Sequence, residues 1–372
     1  MRCHGSASLH DLFGDLVAFR NLEIADERFS RYAEIARALN LSPLAPPRKC
    51  DPTYGWVVAR LLREARALAP SRPPIERVLF IGDTAFNDGA AFASIADAGG
   101  WPGVAFIGCE TQEAEKLSET RYGDRLIFHA NRWGFLPTMD RHCAERGFPI
   151  DGRTAVVFDI DKTTLGARGR NDKAIDAARV AAALRTACEL LGDCFDKRTF
   201  ETAYAEFGRE PYIGFTRDNQ DVLVYLCLVA AAGTFRIPAL AAEILSGHAD
   251  FLTFLTSIDP SGLPSRLRDE HALVRSCVQH GDATPFKSFR RNEYRETVAR
   301  MKGAADPLVA PILESEIVIT EEVLRVARMW SERGAVLIGL SDKPDEACYP
   351  PANSDEGPSV PLHKTPARVF GP

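Results

Sequence analysis

Five short segments of this chain are apolar at almost every position and are rich in β-branched and aromatic residues. They span 78–81, 104–107, 126–129, 155–158 and 336–340. Strands that are buried on both faces of a parallel sheet show such continuous runs, whereas half-exposed strands alternate apolar and polar residues. Helical patterns separate most of the runs. The sequence therefore predicts an α/β fold, a Rossmann-like three-layer arrangement with helices on both faces of a parallel sheet.

The order of these patterns predicts a core that is interrupted by a helical insertion. Asp51 and Pro52 mark the start of a helix before the first run. Residues 1–166 are expected to form the first part of the core, 167–320 an α-helical cap, and 321–372 the second part of the core with a C-terminal tail. Helices of the cap are predicted at 172–191, 219–232, 238–255 and 289–302. Core helices are predicted at 88–98 and 321–333, and a loop at 349–361.

Composition and charge exclude several classes of function. The 372 residues carry a formal net charge of −6, which argues against a general nucleic-acid binder. Nine cysteines are dispersed without a CxxC pair, a pattern typical of reduced thiols in the cytoplasm. The longest apolar run, 222–233, is too short to cross a bilayer, and the N-terminal residues do not resemble a signal peptide. We expect a cytoplasmic protein without a membrane or nucleic-acid partner; its oligomeric state is not indicated.

The run at 155–158 leads directly into Asp159, Asp161 and Thr163, a DxDxT pattern. In open α/β sheets, ligands bind beyond the carboxyl ends of the strands, where these acids are expected. Two carboxylates so close together repel each other, so that one holds a proton or a cation bridges them. This pattern suits a nucleophile next to an acid/base, with Mg²⁺ completing the site. The alternative is that the acids only cap the following loop or helix.

Two further runs end in groups of the same kind. Gly82 follows the run at 78–81 and permits a tight turn, and Asp83 and Asp88 then supply hard oxygen ligands. Ser341 follows the run at 336–340, where a hydroxyl among backbone amides can hold a phosphoryl oxygen. Each of these signals also has a structural alternative, a helix N-cap or a loop start. Three strand ends that each carry such a group are harder to attribute to chance than any one of them alone.

Together these segments resemble the haloacid dehalogenase (HAD) superfamily of phosphohydrolases and phosphotransferases. An apolar strand with DxDxT matches the first family motif, an apolar strand ending in Ser341 matches the second, and GD followed by further acids matches the fourth. The third motif is a Lys that leads a helix, and Lys49 stands at this place. Here the third and fourth motifs precede the first and second, which is the pattern of a circular permutation. The resemblance covers about half of the chain, and 167–320 falls where family members commonly carry a substrate-selecting cap.

The resemblance implies roles for the acids of the first and fourth motifs. Asp159 would attack phosphorus and form an aspartyl-phosphate, and Asp161 would act as general acid and then as general base. Mg²⁺ would be bound by Asp159, the backbone carbonyl of Asp161, and Asp83. Asp88 or Asn87 would orient the water ligands of the metal; the spacing leaves both open.

The remaining motifs imply contacts to the phosphoryl group. Ser341 would donate a hydrogen bond to a phosphoryl oxygen, and Thr163 is expected on the substrate side. Lys49 would lie beside the nucleophile and neutralise phosphoryl charge. Lys343 and Lys364 are rivals for this place, and a surface lysine is the alternative for each.

Two other segments supply substrate-side candidates. Arg168 and Arg170, with Asn171, lie on a glycine-containing loop where the family has a flap, and two arginines could clamp an anionic substrate; the alternative is a solvated loop. A second group of candidates follows the run at 126–129, with a structural role as the alternative. These are His129, Asn131, Arg132 and Trp133.

The leading hypothesis is a Mg²⁺-dependent phosphatase that acts on a small phosphorylated metabolite through an aspartyl-phosphate intermediate. A carbon–halogen hydrolase is disfavoured, because that branch of the family lacks the second acid that Asp161 supplies here. The alternative from another class is a non-catalytic HAD-like protein that binds a phosphorylated ligand or a partner through its helical cap.

Overall fold

A computed structural model describes residues 1–216, 219–247, 250–301, 309–351 and 360–372. The strands are β1 (Arg2–Ala7), β2 (Val17–Ala18), β3 (Arg77–Gly82), β4 (Gly103–Gly108), β5 (Leu117–Tyr122), β6 (Arg125–Ala130), β7 (Thr154–Asp159), β8 (Ile319–Thr320), β9 (Val336–Leu340) and β10 (Ala367–Gly371). The α-helices are α1 (Leu9–Phe13), α2 (Tyr32–Ala38), α3 (Pro52–Ala67), α4 (Asn87–Gly99), α5 (Leu136–Glu145), α6 (Asp172–Leu191), α7 (Lys197–Phe207), α8 (Ile213–Thr216), α9 (Gln220–Ala231), α10 (Ile237–Leu245), α11 (Phe251–Ser257), α12 (Ser265–Gln279), α13 (Lys287–Met301), α14 (Val309–Ser315) and α15 (Glu321–Glu332).

The predicted parallel sheet is present, and all five predicted strands belong to it. Its seven strands have the order β2-β9-β7-β3-β4-β6-β5. Neighbouring strands are parallel except β5, which pairs with β6 in antiparallel orientation. β7 lies between β3 and β9, so the three strands that end in the acidic and serine motifs are adjacent. The α/β prediction is thereby confirmed.

Helices cover both faces of this sheet, and alternate residues of β7 contact them. Ala155 and Val157 belong to the core that α3 and α4 form on one face. Phe158 points to the other face, where its ring centroid lies 5.2 Å from Phe13 of α1 and 6.1 Å from Trp330 of α15. Burial on both faces explains why the run at 155–158 contains no alternating polar residues.

Several elements differ from the sequence-based expectation. β1, β10 and β8 form a separate three-stranded sheet that was not predicted, because β1 is mostly exposed and β8 is only two residues long. The single helix predicted at 238–255 is two helices, α10 and α11, since the chain turns at Gly247 with a φ of +70°. The predicted loop at 349–361 lies largely outside the described residues.

The described residues divide into two compact units. The first unit contains 1–177 and the described parts of 297–350 and 360–372, and the second contains the described part of 178–296 with Pro351. The helical unit is thus shorter at both ends than the cap expected at 167–320. Its core surrounds α9, which is buried along most of its length. None of the described helices is long and apolar enough to cross a membrane.

Candidate functional site

The candidate site lies at the carboxyl ends of β3, β7 and β9 in the first unit. Phe158 pairs with Ile81 on one side and with Gly339 on the other. This register brings the residues that follow the three strands to the same level of the sheet edge. The arrangement agrees with the general position of ligand sites in open α/β sheets.

Three carboxylates converge at this edge. One oxygen from each of Asp83, Asp88 and Asp159 lies within 4.8 Å of the others, and all three residues are buried. Opposite oxygen ligands of an octahedral Mg²⁺ are about 4 Å apart, since each lies ~2.1 Å from the metal. Oδ2 of Asp159 has no hydrogen-bond partner among the described residues. A buried carboxylate oxygen without a partner is costly unless a bound group satisfies it, so Oδ2 is open to a bound group. The convergence of the three acids could itself hold a divalent cation.

Asp88 is held in place by the turn that follows β3. Its Oδ2 accepts hydrogen bonds from the amides of Asp83 and Thr84, both at 2.9 Å, and from the Thr84 hydroxyl at 3.1 Å. The side chain packs directly against Gly82, where an added Cβ would lie 2.6 Å from the Cβ of Asp88. Asn87, the other candidate at this place, is exposed at the start of α4. Of the two, Asp88 belongs to the site.

We expect a Gly82→Ala variant to lose about 1–3 kcal/mol of unfolding free energy, because the new methyl group overpacks against Asp88. Gly89→Ala is the matched control, since no heavy atom lies within 4 Å of its added Cβ. That control is expected to gain up to about 1 kcal/mol, as alanine favours the helix. Urea unfolding of both variants makes the comparison. Equal stability of the two variants would mean that Asp88 does not require the glycine.

Lys49 is the lysine that reaches the acids. Its Nζ donates a hydrogen bond to Oδ1 of Asp88 at 2.8 Å and also contacts Oδ1 of Asp159. The residue is buried, and it lies in the turn from Arg48 to Asp51 that precedes α3. Among the rivals, Lys364 pairs with Asp15 at 2.8 Å. The amide of Lys343 donates to Oγ of Ser341.

Burial and mutual repulsion raise the pKa values of two of the acids, whereas Lys49 and hydrogen bonds lower the pKa of the third. Burial raises the pKa of Asp83 to about 7, with repulsion from Asp88 adding to the effect. Burial likewise raises the pKa of Asp159 well above its usual range, although Lys49 opposes the shift. For Asp88 burial would raise the pKa, but Lys49 and the hydrogen bonds to its carboxylate lower it. Burial alone would lower the pKa of Lys49, yet Asp159 and Asp88 raise it, so the lysine stays charged.

Asp161 and Ser341 form a second pair at the same edge. Oγ of Ser341 donates to Oδ2 of Asp161 at 2.6 Å and accepts from the Lys343 amide at 2.9 Å. The resemblance implies the backbone carbonyl of Asp161 as a metal ligand and its carboxylate as the acid/base. Its carboxylate does not belong to the cluster that Asp83, Asp88 and Asp159 form in the described chain; it is directed to Ser341 instead.

The hydroxyl groups of Thr164 and Thr320 fix the backbone of the DxDxT segment. The Thr164 hydroxyl donates to the Asp159 carbonyl at 2.7 Å, a contact that the sequence analysis missed. Thr163 is fully buried, its carbonyl accepts from the Thr320 hydroxyl at 2.6 Å, and its own hydroxyl has no partner among the described residues. Thr163 is therefore a packed residue of the turn, not an exposed substrate contact.

The two arginines after the DxDxT segment have different surroundings. Nε of Arg168 contacts Oδ2 of Asp83, and its side chain is 33% exposed. Arg170 is 3% exposed and makes two-pronged ion pairs with Glu110 and Glu322, at 2.7–2.9 Å. The prediction that Arg170 clamps a substrate is wrong, because both carboxylates occupy its guanidinium. Arg168 lies at the site as the partner of Asp83.

The neighbouring candidates support the loops. The side-chain amide of Asn171 donates to the carbonyls of Leu313 and Glu316 at 2.7 and 2.9 Å. Asn131 and Arg132 bind backbone groups of the segment 111–116. Trp133 is fully buried and its Nε1 points to the Arg168 carbonyl at 3.4 Å. These side chains hold loops in place, and the half-buried His129 sits on β6 without a hydrogen bond to the acidic cluster in the described chain.

Tyr54 is a neighbour of the site that the sequence analysis missed. It lies in the first turn of α3, is 1% exposed, and its hydroxyl has no hydrogen-bond partner among the described residues. Burial strongly raises the pKa of Tyr54, and the Lys49 charge opposes this shift. The only signal in the sequence was its spacing of five residues from Lys49 at the start of α3.

Comparison of the chain with protein-family models, with curated proteins and with solved structures found no match.

Proposed function

We propose that the protein is a Mg²⁺-dependent phosphatase with a permuted HAD-like core, in which Asp159 is the nucleophile. The observation that carries the proposal is the convergence of three buried carboxylates, one of which presents an unpartnered oxygen beside a buried lysine. Hard carboxylate oxygens without nitrogen or sulfur ligands favour Mg²⁺ over softer metals. Asp83, Asp88 and Asp159 would hold the ion, which offsets charge on the transferring phosphoryl group.

In the proposed first step, Oδ2 of Asp159 attacks phosphorus. The bond from phosphorus to the ester oxygen breaks, and Asp161 gives its proton to the leaving alcohol. Lys49 holds Oδ1 of Asp159, so Oδ2 is the oxygen that remains for the attack. Ser341 orients Asp161 through the 2.6 Å hydrogen bond.

In the second step, water hydrolyses the aspartyl-phosphate. Asp161, now deprotonated, accepts a proton from the water as its oxygen attacks phosphorus. The bond from phosphorus to Oδ2 breaks, and inorganic phosphate leaves with Asp159 restored as a carboxylate.

The helical unit follows the DxDxT segment and its loop in the sequence. This order along the chain favours a small phosphorylated metabolite as the substrate. We further propose that the protein acts in the cytoplasm.

We expect the purified protein to hydrolyse an aryl phosphate such as p-nitrophenyl phosphate when Mg²⁺ is present. EDTA is expected to lower the rate by at least about 100-fold, because the metal supplies several kcal/mol of charge stabilisation. Re-addition of Mg²⁺ should restore the rate, which excludes damage by the chelator.

Three other outcomes would contradict the proposal. Binding of Mg²⁺ and a phosphate mimic without turnover over a broad panel of phosphate esters would indicate a binding protein. Halide release from a haloacid that is unaffected by EDTA would indicate carbon–halogen chemistry. Phosphate release that is unaffected by EDTA would indicate an enzyme without a metal requirement.

A further inference from the structure

A second group of potential metal ligands lies in the first unit, outside the acidic site. Nδ1 of His10 is 3.4 Å and Nε2 of His363 is 3.5 Å from Oδ1 of Asp15. The three ligand atoms lie within 4.8 Å of one another. Two imidazoles and one carboxylate form a donor set that differs from the all-carboxylate set around Asp159.

His363 is the residue that points to a ligand. It is 1% exposed, and neither ring nitrogen has a hydrogen-bond partner among the described residues. A buried imidazole without a partner is unfavourable unless something else satisfies it. The aromatic rings of Phe19 and Tyr349 pack nearby, with centroids 6.4 and 6.2 Å from the centroid of the His363 ring. This packing fixes the orientation of the imidazole.

The distances suit a shared cation better than direct hydrogen bonds. Zn²⁺ lies ~2.0–2.2 Å from nitrogen and oxygen ligands, so two ligands at tetrahedral positions are about 3.4 Å apart. The separations of 3.4 and 3.5 Å in this cluster match that spacing, whereas hydrogen bonds from nitrogen to oxygen are typically about 2.9 Å. Burial lowers the pKa of His363, which favours the neutral imidazole that metals bind.

We propose that His10, Asp15 and His363 form a binding site for a zinc-type divalent cation. Imidazole nitrogen favours Zn²⁺ over Mg²⁺. Three protein ligands leave a fourth position for water. The site would join α1 and the segment before β2 to the 3₁₀ turn Leu362–Lys364, and thus tie the N-terminal segment to the C-terminal segment of the first unit.

Lys364 is the competitor of the cation. Its Nζ lies 2.8 Å from Oδ1 of Asp15, and this ion pair lowers the pKa of Asp15. The side chain is 41% exposed, so it can turn into solvent when a metal binds. Exposed ion pairs contribute little, and we expect Lys364→Gln to strengthen Zn²⁺ binding by about two- to fivefold.

The test is a Zn²⁺ titration of the full chain by calorimetry, in excess Mg²⁺ so that the ion can occupy the proposed acidic site. We expect saturable binding that His10→Gln and Asp15→Asn each weaken by at least about tenfold. Both side chains are partly exposed, at 43% and 38%, so these variants are expected to fold. His4→Gln is the matched control, because His4 is exposed and its Nε2 lies 3.0 Å from the Pro372 carbonyl, away from the proposed ligands; it should bind Zn²⁺ as the unaltered protein does.

Co²⁺ provides a second readout that does not depend on activity. Tetrahedral nitrogen and oxygen ligation should give visible absorption bands that disappear in His363→Gln. Absence of saturable Zn²⁺ binding would overturn the proposal, as would equal affinity in the unaltered protein and the Asp15→Asn variant. Loss of Zn²⁺ binding in Asp159→Asn would also overturn it, because the metal would then sit among the acids.

Discussion

The Asp159→Asn variant should lose the proposed phosphatase activity by about 10⁴-fold or more, because covalent catalysis stops when the proposed nucleophile is replaced. An amide at this position cannot form the acyl phosphate, and it also removes one negative ligand from the proposed metal site. Steady-state hydrolysis of p-nitrophenyl phosphate measures the loss. The folded state is expected to survive, because the amide has nearly the same shape and relieves repulsion from Asp83 and Asp88.

Asp193→Asn is the matched control for this prediction. Asp193 is exposed in the helical unit, so its amide variant should keep full activity. Retention of activity by Asp159→Asn, in protein purified away from other phosphatases, would contradict the assignment of the nucleophile. Loss of activity together with loss of cooperative unfolding would instead show that the variant fails to fold, and Asp159→Glu would then serve as the second test.

The Lys49→Met variant is expected to lose about 3–5 kcal/mol of unfolding free energy at pH 8, since it leaves buried acids without their compensating charge. Lys49 is the residue that contacts both Asp88 and Asp159. Urea unfolding in EDTA measures the loss. Mg²⁺ should restore part of the stability of this variant, because a cation among the same oxygens replaces the lost charge.

The loss should be smaller at pH 5 than at pH 8. A carboxyl group whose pKa is raised in the folded state favours folding at low pH and opposes it as the pH rises. Asp83, with a pKa of about 7, and Asp159, whose pKa is also raised, are such groups. At pH 5 they can take up protons when the lysine is absent.

Lys197→Met is the control for the stability measurement. Lys197 is 65% exposed and pairs with Glu201 at 3.6 Å on the surface of α7; its replacement should change the unfolding free energy by less than about 1 kcal/mol. Equal stability of the Lys49→Met and Lys197→Met variants would show that the buried acids do not depend on Lys49.

The strands of the central sheet and the residues at their ends were readable from the sequence because both signals are local. A strand buried on two faces is continuously apolar, as in 155–158, and the acids that follow it need no distant information to be noticed. The small sheet of β1, β8 and β10 was not readable. Its strands are short or exposed, and only pairing between distant parts of the chain gives them regular structure.

Only the tertiary structure could show which of the candidate residues belong to the site. The sequence offered three lysines, and only the tertiary structure brings Lys49, in the turn before α3, to Asp159 at the end of β7. Arg168 and Arg170 look alike in sequence, yet one contacts Asp83 whereas the other is enclosed by Glu110 and Glu322.

The sequence by itself determined the α/β class and the chemistry of the strand ends, since hydrophobic periodicity and residue type are properties of short segments. Only the tertiary structure decided which charged and metal-binding side chains lie close together. His363 is more than 340 positions from His10 and Asp15 in the chain, and no local pattern brings them together. Electrostatic interactions depend on the distance between charges in space and not on their separation along the chain, so they become visible only once the fold has placed the residues.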